Sequence, residues 1–449
     1  MNFDLTKELL QEFSDAAANR NRDFIVEKIQ DIHPADIAEI LDRVDLIEAQ
    51  FIYSLLEEEV ASAVLVELEE DVRDKFLKSF TIQEIAEQLE RIDSDDAADL
   101  IQDLPDERKE EVLSRLEDAE QASDIVSLLS YPEDTAGGLM AKEYIKANIN
   151  WTVEECLEEM RSQAEEIDYV YTIYVVDNQN KLIGTLSLKS FLYASNNTKV
   201  SDLFKEEPIS VKTDTPDEEV ANMMEKYDLV AIPVLNQANV LVGRITIDDI
   251  VDVIKDEAEK DFQMASGISE NVESKDSIWL LTRARLPWLF IGLVGGILGA
   301  FVIKSFEYEL GQFPVLAFFI PLIAAMAGNV GVQSSAIIVQ GLANNSLSYG
   351  STFSKVVKEV GVALINGAVL SSLIFIYNLA FGEAWELCFT VSLSLFIVIL
   401  FAGIFGTLIP LVLNKYNIDP ALATGPFITT INDVVGLLLY FTIGWMIYF

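Results

Sequence analysis

The chain has 449 residues and a formal net charge of −42 at neutral pH, and this charge is unevenly distributed. Residues 287–449 contain four basic and seven acidic side chains, a net charge of −3, which leaves −39 for residues 1–286. So acidic a region argues against nucleic acid and anionic lipid as partners; it either meets cations or simply keeps the protein soluble. A single histidine, His33, and two distant cysteines exclude a disulfide framework and a histidine or cysteine zinc site near the apolar half.

Residues 1–131 predict a helical domain, because strong helix formers recur with an apolar period near 3.6 and without the alternation of a strand. The first fifteen residues are polar and acidic and do not resemble a signal peptide, so we expect the N-terminus to lie in the cytoplasm. Polar caps followed by apolar faces recur loosely along this region, which predicts a superhelical stack of helices. His33, immediately before Pro34, fits such a cap better than it fits a ligand.

The following region changes to a mixed helix and strand pattern that contains a tandem repeat. The triplet Val175–Asp177 recurs as Val234–Asn236, and Leu182–Ser187 recurs as Leu241–Thr246, in both cases 59 residues further on. Each unit is typical of a helix, a strand, a tight turn, a strand and a second helix. The pair resembles two cystathionine-β-synthase (CBS) domains, a regulatory module that often binds adenine nucleotides.

We predict the first CBS domain at residues 132–200 and the second at 201–255. The resemblance implies a nucleotide site, for ATP, at Thr246 and Asp249 of the second domain, where the family uses an aspartate to hold a ribose. The first domain has Ser190 in place of this aspartate, so the second site is the stronger candidate.

Five apolar segments are long enough to cross a bilayer as helices, which requires about 20 residues each. They lie at 287–303, 313–343, 360–381, 387–413 and 421–449. The second contains Pro314, Pro321 and the polar motif Gly328–Gln333, so we expect one interrupted helix there. Basic residues in the connecting segments predict that the first span starts in the cytoplasm and that the C-terminus lies outside. These residues are Arg283, Arg285, Lys355, Lys358 and Lys415.

Asp433 is the one ionisable residue that we place deep within a predicted span. A carboxylate at membrane depth costs roughly a few kcal/mol and normally lines a water-filled path, although a protonated aspartic acid bonded to a neighbouring helix is an alternative. A second polar cluster around Asn329 supplies either ligands or packing contacts between helices. Asp433, Asn329 and Thr429 offer carboxylate, amide and hydroxyl oxygens, which are the ligands of hard cations such as Mg²⁺.

Several motifs of the apolar part, taken together, resemble the MgtE family of magnesium transporters. They are Arg285–Leu289, Pro321–Gln333, Lys358-Glu359 with Asn366-Gly367, Asp419–Ala421, Gly425–Phe427, Thr429-Thr430 and Asp433. The order of the parts also resembles this family. We therefore predict a multidomain membrane protein with an all-α superhelical N-domain at 1–131, an α/β CBS pair, a long connecting helix at 256–277 and a five-helix transmembrane domain at 278–449.

The resemblance implies a homodimer in which Asp433 binds hydrated Mg²⁺ on the two-fold axis. It also implies that the connecting helix is a plug, which Mg²⁺ locks against the N- and CBS domains through carboxylates. The residues at the corresponding acidic positions are Asp95, Asp96, Asp99, Asp249, Asp252, Glu257 and Asp261. Lys260 stands where the family often has another acid, and Val332 replaces a residue that is often polar.

From these features we expect a non-enzymatic Mg²⁺ importer in the plasma membrane, the inner membrane of a bacterium, that is gated by cytosolic Mg²⁺. Two alternatives are a transporter that prefers Co²⁺, Mn²⁺ or Ca²⁺, and a membrane-bound Mg²⁺ or nucleotide sensor without transport. An intramembrane metalloprotease is excluded, because the chain has no His-Glu-x-x-His motif and its one histidine is far from the spans.

Overall fold

A computed structural model describes residues 5–162, 170, 172–206, 208–272, 276–343, 352–416, 418–423 and 425–448. Within these residues the chain forms two compact units, Met1–Ile254 and Lys255–Phe449. The first unit combines helices with two small sheets, and the described part of the second unit consists of helices and their connections.

The N-terminal part of the first unit is helical, as predicted. Its helices are α1 (Lys7–Ala18), α2 (Arg22–Ile29), α3 (Pro34–Arg43), α4 (Leu46–Tyr53), α5 (Glu58–Glu67), α6 (Glu70–Ser79), α7 (Ile82–Leu89), α8 (Ser94–Gln102), α9 (Asp106–Leu113) and α10 (Ala119–Leu128). Their apolar faces meet in a core that includes the fully buried Phe76. Thr81 and Glu84 form a reciprocal capping box at α7. His33 caps α3, because its Nδ1 atom accepts a 3.3 Å hydrogen bond from the Ala35 backbone N–H.

Two small sheets follow, and their shared topology confirms the tandem repeat. The first has the order β1-β2-β3-β4, with β1 (Lys146–Asn148), β2 (Ile173–Val176), β3 (Leu182–Leu186) and β4 (Lys205–Glu206). The second has the order β5-β6-β7, with β5 (Val211–Lys212), β6 (Ala231–Leu235) and β7 (Leu241–Thr246). In each sheet a parallel pair is followed by an antiparallel hairpin. The hairpin turns contain Asn180 and Asn239, whose φ angles of 57° and 63° suit tight turns.

Four helices of the described residues accompany these sheets, and the last of them continues past Ile254 into the second unit. They are α11 (Val153–Ser162), α12 (Leu188–Phe191), α13 (Asp217–Lys226) and α14 (Ile247–Ala265). α14 directly follows β7, so the second repeat and the connecting segment share one helix.

The second unit contains five helices that are long and apolar enough to cross a membrane, as hydropathy predicts. Its helices after α14 are α15 (Ile278–Ser305), the short α16 (Glu307–Gln312), α17 (Ile320–Ala343), α18 (Thr352–Ala380), α19 (Trp385–Lys415) and α20 (Gly425–Tyr448). α19 is the most buried of the five long helices and packs against α17, α18 and α20, while α15 packs against α20. The core of this unit therefore lies around α19.

The second span is one interrupted helix, as predicted, but the interruption lies at its proline-containing start and not at the polar motif. A 3-10 helix covers Pro314–Phe319, and α17 then continues without a break through Gly328–Gln333. Pro321 lies in the first turn of α17, where proline is tolerated. It therefore does not break the rest of the helix. The motif remains helical because neighbouring helices pack directly on Gly331, which offsets the cost of glycine in a helix.

The connecting helix ends earlier than predicted. α14 stops at Ala265, whereas the predicted helix extends to residue 277, and residues 273–275 lie outside the described residues. Gly267 has a φ of +80°, and the Ile268 backbone N–H donates to the Gln263 carbonyl at 2.9 Å, a left-handed helix ending that glycine favours. The first span starts earlier than its predicted residue 287, at Ile278, because the Ser277 side chain caps it.

Candidate ion-binding sites

The first candidate site lies in the N-terminal unit, where the first turns of α8 and α14 carry acidic residues. Asp95 and Asp96 lie in the first turn of α8, and Asp249 lies in the first turn of α14. Asp99 follows one turn later on α8, and its carboxyl group also interacts with Asp249 electrostatically. The structure therefore brings together four of the predicted ligands from two segments that are distant in sequence.

Burial and mutual repulsion raise the pKa of these carboxyl groups. Desolvation is the largest cause for Asp96, whose pKa rises to about 7, and the charge of Asp249 is the next. Desolvation, followed by repulsion from Asp96 and Asp249, raises the pKa of Asp95 well above its usual value. Desolvation also raises the pKa of Asp99 to about 6, although the positive charge of Arg73 opposes it. A divalent cation among these groups would relieve the repulsion, and its preferred ligands are carboxylate oxygens.

Two further carboxyl groups, which the sequence analysis did not identify as ligands, adjoin this site. Oxygens of Asp93, Asp95 and Glu143 lie within 4.8 Å of one another. Glu143 also caps α8, because its carboxylate accepts hydrogen bonds from the Ser94 backbone N–H at 3.1 Å and from the Ser94 hydroxyl at 2.9 Å. We refer to the whole group as the acidic cluster. Its members are Asp93, Asp95, Asp96, Asp99, Glu143 and Asp249.

Asp249 also lies in the predicted nucleotide motif. Its Oδ2 atom accepts hydrogen bonds from the Thr246 backbone N–H at 3.1 Å and from the Thr246 hydroxyl at 2.8 Å. This oxygen therefore caps α14. Within the described residues no hydrogen bond engages the Oδ1 atom of Asp249.

Arg244 on β7 supplies a buried positive charge beside the acidic cluster. The side chain is almost fully buried, and its guanidinium lies 3.9 Å from the Asp93 carboxylate. Desolvation raises the pKa of Asp249, and the hydrogen bonds from Thr246 and, more weakly, the charge of Arg244 oppose this effect. The sequence analysis did not identify this residue, although a single basic residue in the middle of an apolar strand is a usable signal.

The acidic residues that follow Asp249 on α14 have different surroundings. Asp252 is exposed. Glu257 forms an ion pair of 2.8 Å with Lys260, so the lysine that replaces a family acid neutralises a predicted ligand. Desolvation and then repulsion from Asp419 raise the pKa of Asp261. Asp419, which the sequence analysis identified only as part of a motif, is therefore a further candidate ligand beside Asp261.

The second candidate site contains Asp433, on the side of α20 that contacts α17. A Cβ atom added to Gly328 would lie 3.0 Å from the Thr429 Cγ2 atom and 3.4 Å from the Asp433 Oδ1 atom, so the glycine backbone approaches both side chains. The Thr429 hydroxyl donates to the Gly425 carbonyl at 3.0 Å, and its oxygen can still accept or bind a cation. Asn329, the third predicted ligand, lies on an exposed face of α17.

Close helix packing surrounds this second site. A Cβ atom on Gly331 would overlap the Asn432 side-chain amide, and one on Gly406 would overlap the Gly331 carbonyl oxygen. Only glycine permits such an approach, as in other membrane helix pairs. Both glycines of the α17 motif therefore let α20 approach α17 closely, Gly331 at Asn432 and Gly328 at Thr429 and Asp433.

Three family models match the chain, in the order that the structure shows. The intracellular N domain of MgtE matches residues 32–134, the CBS domain matches 136–197 and 200–256, and the MgtE divalent cation transporter domain matches 320–443.

Curated relatives and solved structures agree with these matches. The chain is 33% identical to a magnesium transporter MgtE of Thermus thermophilus over 93% of its own length and 94% of that protein. It is 34% identical to a magnesium transporter MgtE of Bacillus subtilis over 79% of each chain. The cytosolic domain of the Mg²⁺ channel MgtE in complex with ATP is similar at 33% identity and a TM-score of 0.50, over 54% of this chain and 98% of that one. The soluble part of a magnesium transporter is similar at 30% identity and a TM-score of 0.50, over 56% and 99%.

Proposed function

The chain belongs to the MgtE family of divalent cation transporters, which are not enzymes, and on this basis we propose that it carries Mg²⁺ into the cytoplasm. The membrane is the plasma membrane, the inner membrane in a bacterium. The N-terminal unit lies in the cytoplasm and the C-terminus outside, as the basic connecting residues indicate. An inside-negative potential favours inward movement of a divalent ion by about 4.6 kcal/mol per 100 mV, so import needs no other energy source.

Asp433 is the residue on which the transport path depends. Its side chain is half-buried against the Gly328 backbone, and no lysine or arginine of the described part of the chain pairs with it. A carboxylate in a membrane helix without such a partner requires water or a bound cation. The Thr429 hydroxyl supplies a neutral oxygen nearby. One carboxylate per chain, with neutral oxygens around it, suits an Mg²⁺ ion that keeps part of its water shell.

A homodimer completes this path. Asn329 and Gln333 lie four residues apart, and both are exposed on the same face of α17, a helix that crosses the membrane. Amide side chains are unfavourable against lipid tails, so this face meets water or a second copy of the chain. A two-fold axis beside α17 would place two copies of Asn329 and of Asp433 around one water-filled path.

Cytosolic Mg²⁺ closes the path by binding to the acidic cluster and to Asp261 with Asp419. Without Mg²⁺ the carboxylates repel one another. Bound Mg²⁺ removes this repulsion and holds α14 in place. Asp252 and Glu257, also on α14, are additional proposed ligands. Like charges about 4 Å apart interact by roughly 4 kcal/mol at an effective dielectric constant of 20. Because a nearly complete shift of a two-state gate requires about 5.5 kcal/mol, two or three such pairs suffice.

ATP is the proposed nucleotide at Thr246 and Asp249. The cytosolic domain of a similar Mg²⁺ channel binds ATP. In this chain the Asp249 Oδ1 atom is the acceptor that a ribose hydroxyl would use, and the same carboxylate belongs to the acidic cluster. ATP and regulatory Mg²⁺ therefore meet at one residue.

Mg²⁺ uptake into liposomes that contain the purified chain tests the transport function. We expect Asp433→Asn to reduce uptake by about 10-fold or more, because it removes the charge and keeps the volume. Glu383→Gln is the matched control, since it changes an exposed carboxyl group at the start of the segment before α19. Competition by Co²⁺, Mn²⁺ and Ca²⁺ in the same assay identifies the preferred ion.

Unchanged uptake by Asp433→Asn would show that the path lies elsewhere. If neither the parent chain nor the control transported any divalent ion above protein-free liposomes, the sensor alternative would replace the transporter.

A further inference from the structure

A second carboxyl group, Glu359, lies within the membrane helices, and the transport path described above does not use it. It belongs to α18, inside the segment Ser354–Ala380 that can span the membrane. Its Oε1 atom accepts a hydrogen bond of 2.5 Å from the hydroxyl of Ser334 on α17. A Cβ atom on Gly403 of α19 would lie 3.5 Å from the same oxygen. The carboxylate is therefore held where α17, α18 and α19 meet.

Ser334, which donates to Glu359, lies in one row along α17 with the two glycines near Asp433. Gly328, Gly331 and Ser334 are three residues apart, a spacing that advances slowly around a helix. Gly328 contacts Thr429 and Asp433 of α20, and Gly331 contacts Asn432 of α20 and Gly406 of α19. Ser334 then contacts Glu359 of α18. Along α17, these three residues therefore contact first α20, then α20 and α19, and then α18.

This arrangement fixes the rotation of α17. The Gly331 contacts hold α17 close to α19 and α20, but glycine has no side chain that resists rotation about the helix axis. The bond from Ser334 to Glu359 supplies that restraint, because Ser334 is 4% exposed and rotation would leave its buried hydroxyl without this acceptor. Rotation of α17 would change the distance between the Gly328 backbone and Asp433.

We propose that Glu359 is a positioning residue for the ion path: by accepting the Ser334 hydroxyl, it holds α17 so that Gly328 stays against Asp433. The proposal rests on the transport function proposed above. Glu359 contributes a hydrogen-bond acceptor and not a charge that the ion meets. An amide at position 359 should therefore replace it, whereas a methyl group should not.

Mg²⁺ uptake by the full chain in liposomes tests this with Glu359→Gln, Glu359→Ala, Ser334→Ala and the double alanine variant. We expect Glu359→Gln to keep the Vmax, the KM for Mg²⁺ and the discrimination against Ca²⁺ of the parent. Glu359→Ala and Ser334→Ala should each lower Vmax/KM by roughly 10-fold, the size expected for the loss of one buried hydrogen bond, and should weaken discrimination against Ca²⁺. The double variant should be no worse than either single variant, because both remove the same bond. Glu383→Ala is the control.

Three results would overturn the proposal. They are equal loss in Glu359→Gln and Glu359→Ala, which would mean that the charge itself acts; unchanged transport and selectivity in Ser334→Ala; or additive losses in the double variant. Should Glu359→Ala fail to fold, as judged by size-exclusion chromatography, Ser334→Ala and Glu359→Gln still decide between these outcomes. Absence of uptake by the parent and Glu383→Ala would overturn the transport function together with this inference. Normal uptake by every variant would overturn this inference alone.

Discussion

Asp96 has an unusual pKa because of its surroundings and not because of its local sequence. Its pKa rises to about 7 because it is desolvated and lies near Asp249, whereas an aspartate in an unfolded chain has a pKa near 4. Between these two values the folded state binds a proton that the unfolded state has released. Folding is therefore favoured at low pH, and this contribution is lost as the pH rises towards 7.

We predict that Asp96→Asn raises the thermal unfolding midpoint of the N-terminal unit, measured in the full chain at pH 8 without Mg²⁺, by roughly 2–4 °C. The substitution removes a repulsive charge and keeps the shape. It should also reduce the stabilisation that added Mg²⁺ provides. At pH 5 the difference should shrink, because the parent Asp96 is then protonated. Asp31→Asn, at an exposed position, is the control, and an equal effect of Asp96→Asn at both pH values would contradict this account.

At the scale of elements, α17 shows why glycines in membrane helices cannot be interpreted from sequence alone. The glycines of its motif suggested an interruption of the helix, yet the helix is continuous through them. The Asn432 side chain occupies the space beside Gly331, whereas a Cβ atom added to Gly296 on α15 would have no atom within 4 Å. The same residue type therefore has a packing role at one position and none among the described residues at the other.

We predict that Gly331→Ala destabilises the helical unit by about 1–3 kcal/mol, as expected for overpacking of a tight contact. Gly296→Ala should be neutral or stabilising by up to about 1 kcal/mol, because alanine is the better helix former and meets no obstacle. Tryptophan fluorescence during thermal unfolding in detergent measures the unfolding midpoint of each variant. Similar midpoints for the two would show that the contact of α17 with α20 is looser than the structure indicates.

At the scale of the whole molecule, a single chain leaves polar groups of its membrane helices without a suitable environment. Asn329 and Gln333 are exposed on α17, whereas the outward residues of α15, such as Leu293, are apolar and suit lipid. A second copy beside α17 would remove this conflict, and it would also surround a water-filled path with amide and carboxylate oxygens. The chemistry of this helix face therefore supports the proposed homodimer.

We predict that Asn329→Cys reacts with a membrane-impermeant thiol reagent and that Mg²⁺ slows the reaction, whereas Leu293→Cys remains unmodified because it faces lipid. The native thiols, Cys156 and Cys388, are buried and give a low background. Light scattering of the purified protein should give a protein mass twice the 50.1 kDa of one chain. A monomeric mass together with an unreactive Asn329→Cys would contradict the dimeric path.

The sequence by itself determined the classes of structure and the family. Apolar length predicted five spans, a recurring pattern predicted two equivalent sheets, and local motifs indicated the MgtE family. These features depend on neighbouring residues or on spacing along the chain, so they can be recognised without knowledge of the tertiary structure. The predicted domain boundaries and site residues, including Asp433, remain predictions for experiments to test.

The tertiary structure decided which distant residues meet. It brings Glu143 to Asp93 and Asp95, brings Asp419 to Asp261, and brings Ser334 to Glu359. It also restricted the interruption of the second span to its proline-containing start and ended α14 at Ala265. These outcomes depend on burial and on packing between segments far apart in the chain, and neither quantity is encoded in a local pattern.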